Sequence, residues 1–132
     1  MGKTDRSGPT IMAGILLSFL RELDAALSEH ETADLRALKE EDLLSLHFGL
    51  GLHIRNTFIH PATSRLGNLL RDECMDPDSA STWLTRLYRD HVQGYPLTMD
   101  RLAMVLQQAF GHLRDDEVAQ LADRLLRTDT DP

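Results

Sequence analysis

One stretch of this sequence, residues 47–56, concentrates residue types that can do chemistry. It places His47, Arg55 and Asn56 among leucines, with glycines at Gly49 and Gly51. Histidine transfers protons near neutral pH, arginine clamps carboxylates and phosphates, and an amide side chain orients a ligand by hydrogen bonding. One interpretation is therefore a binding site for a small anion or nucleotide, in which His47 acts as acid or base.

Helical geometry decides which of these side chains lie together. At about 100° per residue, His47 shares a helix face with Leu50 and Ile54. Arg55 shares the neighbouring face with Phe48. Each glycine inside a helix costs about 1 kcal/mol relative to alanine, so the glycines predict a helix or ligand close to the backbone. A second, structural interpretation is a histidine in the core beside an arginine that is paired with a carboxylate. The third interpretation is a partner-binding surface centred on this stretch.

No pattern typical of a metal or catalytic site is present. His47, His53 and His60 are spaced six and seven residues apart. On a helix His47 and His53 diverge by about 120°, so they cannot share a metal ion without a bend. The zinc motifs HExxH and CxxC are absent, and the single Cys74 cannot form an internal disulfide. Nucleophile motifs, a phosphate-binding loop and a dinucleotide fingerprint are absent too. We expect no catalytic residue, no metal and no cofactor.

The composition predicts an all-α fold. The chain has 24 Leu and 11 Ala against three Val and four Ile, and β-branched residues favour strands. Its 132 residues suit a single compact domain, for which we expect five to seven short helices. We place this domain at residues 9–127, between a polar tail at 1–8 and a frayed end at 128–132.

Helix start and stop signals indicate the boundaries. Thr32 is the expected N-cap of a short second helix, and Trp83 and Tyr88 are expected core anchors. The segment from Pro61 to Gly67 is predicted to be a loop, followed by one or two helical turns. The main helices are expected at about residues 10–28, 32–38, 40–57, 77–93, 98–110 and from 115 or 116 onward.

The net charge of −7, with no dense block of Lys and Arg, disfavours nucleic-acid binding. The longest apolar run is far shorter than the ~20 residues of a membrane span, and no signal peptide is recognised, so we expect a cytoplasmic protein. An acidic surface favours a basic protein partner. The expected partner-binding patch consists of Glu29, Glu31, Glu40, Glu41 and Asp42.

The stretch at residues 47–56 resembles the signature of a family of small bacterial domains of unknown function, with the pattern HFGLG-x-x-IRN. Residues 76–96, which begin with Asp76-Pro77, resemble the second helix of that family, so the resemblance covers about residues 42–96. After Asn56 the chain reads Thr57-Phe58, where the family has another Asn and then an aromatic-Gly run. The family brings no established activity.

The resemblance couples the two segments, so we expect Asp76 or Asp78 to pair with Arg55. His47 and Arg55 should then be mostly buried with polar partners, because an unpaired buried charge is costly. Truncation of Arg55 would in that case cost a few kcal/mol of stability.

The leading functional hypothesis is a small acidic non-enzymatic protein-binding module of the immunity-protein, antitoxin or regulatory-subunit type. The alternative is a small-ligand or nucleotide-handling protein that uses His47, Arg55 and Asn56. A third hypothesis is a structural subunit of a larger assembly. The sequence leaves the oligomeric state open.

Overall fold

A computed structural model describes residues 14–39 and 47–130. These residues form seven helices and no strand, which confirms the all-α prediction and the expected number of helices. Helix α3 is continuous but mixed, with wider π-helical turns on either side of one short α-helical segment. The helices are α1 (Ile15–Ala26), α2 (Glu29–Ala37), α3 (His47–Gly51, Leu52–Ile54 and Arg55–Ile59), α4 (Arg65–Asp72), α5 (Pro77–Val92), α6 (Met99–Ala109) and α7 (Asp115–Thr130).

Helix α5 is the centre of the fold, and α1, α2, α3 and α6 all contact it. Trp83 and Tyr88 on α5 are completely buried, which confirms their predicted role as core anchors. The indole N–H of Trp83 donates a hydrogen bond to the sulfur of Met75 at 2.9 Å, so its polar group is satisfied inside the core. Within the described residues, no helix is both long and apolar enough to cross a membrane.

The second helix begins earlier than its sequence suggested. Ser28, not Thr32, is the N-cap, and its hydroxyl accepts from the backbone N–H of Glu31 at 3.1 Å. The Glu31 carboxylate accepts in return from the N–H of Ser28, which completes a capping box. The prediction of Thr32 was wrong because Glu31, three residues after Ser28, completes the stronger start signal. The predicted starts at Asp76 and Thr98 are confirmed, since each side chain accepts from the backbone three residues on.

The expected loop between Pro61 and Gly67 is shorter than predicted. Ser64 caps α4, so Gly67 lies inside that helix and is buried. A methyl group added at Gly67 would lie 2.5 Å from the carbonyl oxygen of Ile59. The glycine is therefore a packing residue, because it lets α4 approach the last carbonyl groups of α3.

Two helix ends use left-handed backbone. Gly94 follows α5 with a φ of 97°, as its position after the predicted helix suggested. Cys74 follows α4 with a φ of 58°, which a glycine would adopt more easily. The N–H of Met75 donates to the carbonyl of Leu70, and this bond closes the Schellman motif that satisfies the end of α4. The last helix continues to Thr130, past the expected frayed end at residue 128.

Candidate functional site

The two signature glycines occupy different environments on α3. Gly51 is buried, whereas Gly49 is exposed, and a methyl group added to Gly49 would meet no atom of the described residues within 4 Å. No described helix therefore approaches Gly49 closely. A neighbouring helix does approach Gly67 on α4, which was predicted to end a loop.

Arg55 links the signature helix to α5. Its side chain is 21% exposed, and Nη1 donates to Oδ1 of Asp78 at 3.2 Å. This pair confirms the predicted link, with Asp78 as the partner. Asp76 instead caps α5, and its contact with Ser79 holds the pKa of its carboxyl below the ordinary value. The arginine therefore joins α3 and α5.

The Arg55→Ala variant should lose only about 1 kcal/mol of stability, which is less than the sequence suggested. The Asp78 side chain is 72% exposed, and ion pairs open to water contribute little. A double-mutant cycle with Asp78→Ala, followed by urea denaturation, measures the coupling between the two side chains. A coupling energy of several kcal/mol would contradict this estimate.

Arg55 and Asn56 do not share a described pocket. Asn56 is exposed, and neither it nor Arg55 lines any of the four described grooves. The side chain of His47 and the residues Glu40, Glu41 and Asp42 lie outside the described part of the chain. In the described part, no group of three or more His, Cys, Asp or Glu side chains could hold a metal ion.

Two residues of the predicted partner-binding patch, Glu29 and Glu31, are exposed on α2. Asp34, which is not among the residues of the predicted patch, is also exposed on this helix. Its Oδ2 lies 3.4 Å from Nε2 of His30. Beside these carboxylates is an apolar hollow of about 190 Å³, edged by Glu31 and Asp34. We call the exposed residues Glu29, Glu31 and Asp34, together with this hollow, the α2 surface. The apolar lining of the hollow consists of Leu27, Leu35, Leu38 and Leu50.

Three side-chain contacts fix α2 against α5. Arg36 Nε donates to the carbonyl of Val92 at 2.8 Å, and the Gln93 amide donates to the carbonyl of Arg36 at 3.2 Å. Arg89 Nη2 donates to the carbonyl of Leu38 at 2.6 Å. Because these bonds occupy carbonyl groups at the ends of both helices, they hold the α2 surface in one orientation.

Asp24 on α1 receives two side chains from α5. The Tyr88 hydroxyl donates to Oδ1 at 2.9 Å, and Nε2 of His91 lies 2.8 Å from Oδ2. Sequence reasoning missed this cluster because Asp24 precedes Tyr88 by 64 residues, and no local spacing links the two. Burial, followed by the neighbouring Asp24 carboxylate, raises the pKa of Tyr88 well above its ordinary value.

Alkaline pH should weaken the fold through Tyr88. Its pKa is raised in the folded state, so its contribution is complete below the unfolded pKa of about 10 and declines as the pH rises above it. The wild type should therefore lose stability above about pH 10 more steeply than Tyr88→Phe. Urea denaturation across that range measures the difference, and parallel pH curves for the two proteins would contradict it.

Comparison with known proteins complements this geometry. No curated protein and no solved structure matches the chain. A family model matches residues 9–92, so the match begins well before residue 42 and ends with α5. Helices α6 and α7 follow the matched region. Because more than half of its length matches, the chain belongs to the family described as a domain of unknown function, DUF6794.

Proposed function

We propose that this protein is a small non-enzymatic protein-binding module whose α2 surface binds a basic segment of a partner protein. The observation that carries the proposal is the apolar hollow of about 190 Å³ with Glu31 and Asp34 at its edge. A segment with apolar side chains on one face and Lys or Arg beside them complements this arrangement. The module itself would be of the immunity-protein, antitoxin or regulatory-subunit type.

The rigidity of α2 supports the proposal. A surface held in its binding conformation loses less conformational freedom when a partner binds, which favours affinity. The hydrogen bond from Arg36 to α5 helps to hold α2 in place. The hydrogen bonds from Arg89 and Gln93 to carbonyl groups at the end of α2 do the same. The carboxylates at the edge would mainly accelerate the encounter and align the partner, and salt would weaken that effect.

A designed amphipathic helix of lysine and leucine residues serves as the probe. It should bind the wild type, and its association rate should fall as salt is added. The double variant Glu29→Lys with Asp34→Lys should slow association by about tenfold, because both reversed side chains repel the probe. Both positions are exposed, so the thermal melt should hardly change. Surface plasmon resonance measures the rate and calorimetry the melt.

The matched control is Asp72→Lys, which reverses one charge at an exposed position on α4 and is compared with the single α2 variant Asp34→Lys. It should leave association nearly as fast as in the wild type. Equal slowing by the control and by the α2 variant would mean that net charge alone attracts the probe. That result, or a rate that is indifferent to both variants and to salt, would contradict the proposal.

A further inference from the structure

A pocket of about 360 Å³ lies between α1, the end of α3 and the start of α4. Its volume is within the range of pockets that hold small molecules, which is about 300–1,000 Å³. Glu22 of α1 and Arg65 of α4 are the two charged residues among the described side chains that line it. We call this site the α1–α4 pocket.

The two charged side chains of this pocket have their hydrogen-bonding groups available for a ligand. Both are exposed, and within residues 14–39 and 47–130 neither side chain forms a hydrogen bond or an ion pair. They do not pair with each other either, although they line the same pocket. The pocket therefore presents one carboxylate, which can accept, and one guanidinium group, which can donate through five N–H groups.

An aromatic pair forms part of the apolar lining of the pocket. Phe19 and Phe58 are buried, and their rings meet edge to face with centroids 4.9 Å apart. Beside them, the Ser64 hydroxyl donates to the carbonyl of Phe58 and accepts from the N–H of Gly67. Because these bonds are internal to the protein, they hold the wall of the pocket in place before a ligand arrives, which favours binding.

A small ligand with one positive and one negative group complements the two charged side chains. A ligand carboxylate can accept two parallel hydrogen bonds from the guanidinium of Arg65, and a ligand ammonium group can donate to the carboxylate of Glu22. Such a ligand has no net charge, so the net charge of −7 on the chain does not repel it as it repels an anion.

We propose that the α1–α4 pocket binds a free α-amino acid with an apolar side chain. The carboxylate of the amino acid binds Arg65, its ammonium group binds Glu22, and its side chain packs on Phe19 and Phe58. This site shares no residue with the α2 surface, so the two sites can be tested independently.

L-Phenylalanine is the probe, titrated into the full chain and followed by NMR chemical shifts. Phenylalanine amide lacks the carboxylate and N-acetylphenylalanine lacks the ammonium group, so each should bind about tenfold more weakly than phenylalanine. Glycine should also bind more weakly, because it has no side chain to pack on the aromatic pair. Equal affinities for phenylalanine and its two derivatives would overturn the proposal, and so would the absence of binding at millimolar phenylalanine.

Two substitutions in the pocket separate the two charged contacts. Glu22→Gln should weaken the binding of phenylalanine about tenfold but should not weaken that of N-acetylphenylalanine, which has no ammonium group. Arg65→Gln should likewise weaken the binding of phenylalanine but not that of phenylalanine amide, which has no carboxylate. Both positions are exposed, so the thermal melts should hardly change. A Glu22→Gln variant that lost affinity for phenylalanine and N-acetylphenylalanine equally would contradict the assigned contact.

The matched controls make the same chemical changes at exposed positions outside the pocket. Asp72→Asn neutralises a carboxylate on α4, and Arg21→Gln neutralises a guanidinium group on α1. Both should bind phenylalanine like the wild type. Equal losses in the pocket variants and their controls would overturn the proposal, because affinity would then follow the net charge of the chain.

Discussion

Gly67→Ala should destabilise the protein by about 3 kcal/mol, a large change for the addition of one methyl group. The new Cβ would lie 2.5 Å from the carbonyl oxygen of Ile59 and 3.0 Å from that of Phe58. Both atoms belong to the backbone at the end of α3, so no side-chain rotation can relieve the clash. Urea denaturation followed by circular dichroism measures the loss.

Polar contacts resist any displacement of the two helices. The Ser64 hydroxyl donates to the carbonyl of Phe58 at 2.5 Å, and Arg71 Nη1 donates to that of Ile59 at 2.7 Å. If α4 moved away to make room for the methyl group, it would weaken the bonds that satisfy these carbonyl groups. A stable Gly67→Ala variant would mean that α3 and α4 can separate without cost.

Gly49→Ala is the matched control, because it adds the same methyl group to another helical glycine. Its Cβ would meet no atom of the described part of the chain within 4 Å, so packing should not oppose the change. Alanine is the better helix former, and the variant should be as stable as the wild type or up to about 1 kcal/mol more stable. A large loss at Gly49 would show that something occupies the space beside it.

Asp90→Ala should cost about 3 kcal/mol, because it leaves the guanidinium of Arg101 without its buried partner. The Asp90 side chain is only 10% exposed and that of Arg101 22%, so water replaces the lost bonds poorly. Asp90 holds the pKa of Arg101 above its ordinary value. Without Asp90 an arginine is still protonated at neutral pH, so the variant leaves a charge without its partner. Thermal and urea denaturation measure the change.

Asp116→Ala removes an equivalent carboxylate from an exposed pair. Arg114 and Asp116 are 74% and 61% exposed, and such pairs contribute about 0.5 kcal/mol. The comparison therefore isolates the effect of burial on an Arg–Asp pair. If the two aspartate variants lost the same small amount of stability, the pair between α5 and α6 would not hold these helices together.

The sequence by itself determined the features that depend on neighbouring residues. Asp76 and Thr98 begin helices because their side chains reach backbone N–H groups three residues away, and that spacing is visible in any helix start. The burial of Trp83 and Tyr88 followed from the periodicity of α5. The N-cap of α2 was predicted wrongly, because both Ser28 and Thr32 can cap a helix. The position of Glu31, three residues after Ser28, makes Ser28 the cap.

Only the tertiary structure decided which distant groups meet. Glycine occurs both in loops and in helices that touch another backbone. The sequence therefore could not show that Gly67, unlike Gly49, lies against backbone atoms of another described helix. The contact of Asp24 with Tyr88 spans 64 residues, and Arg101 meets Asp90 only when α6 packs on α5. Residue spacing encodes contacts within a helix, whereas contacts between helices depend on how their faces pack, and that is settled only when the whole chain folds.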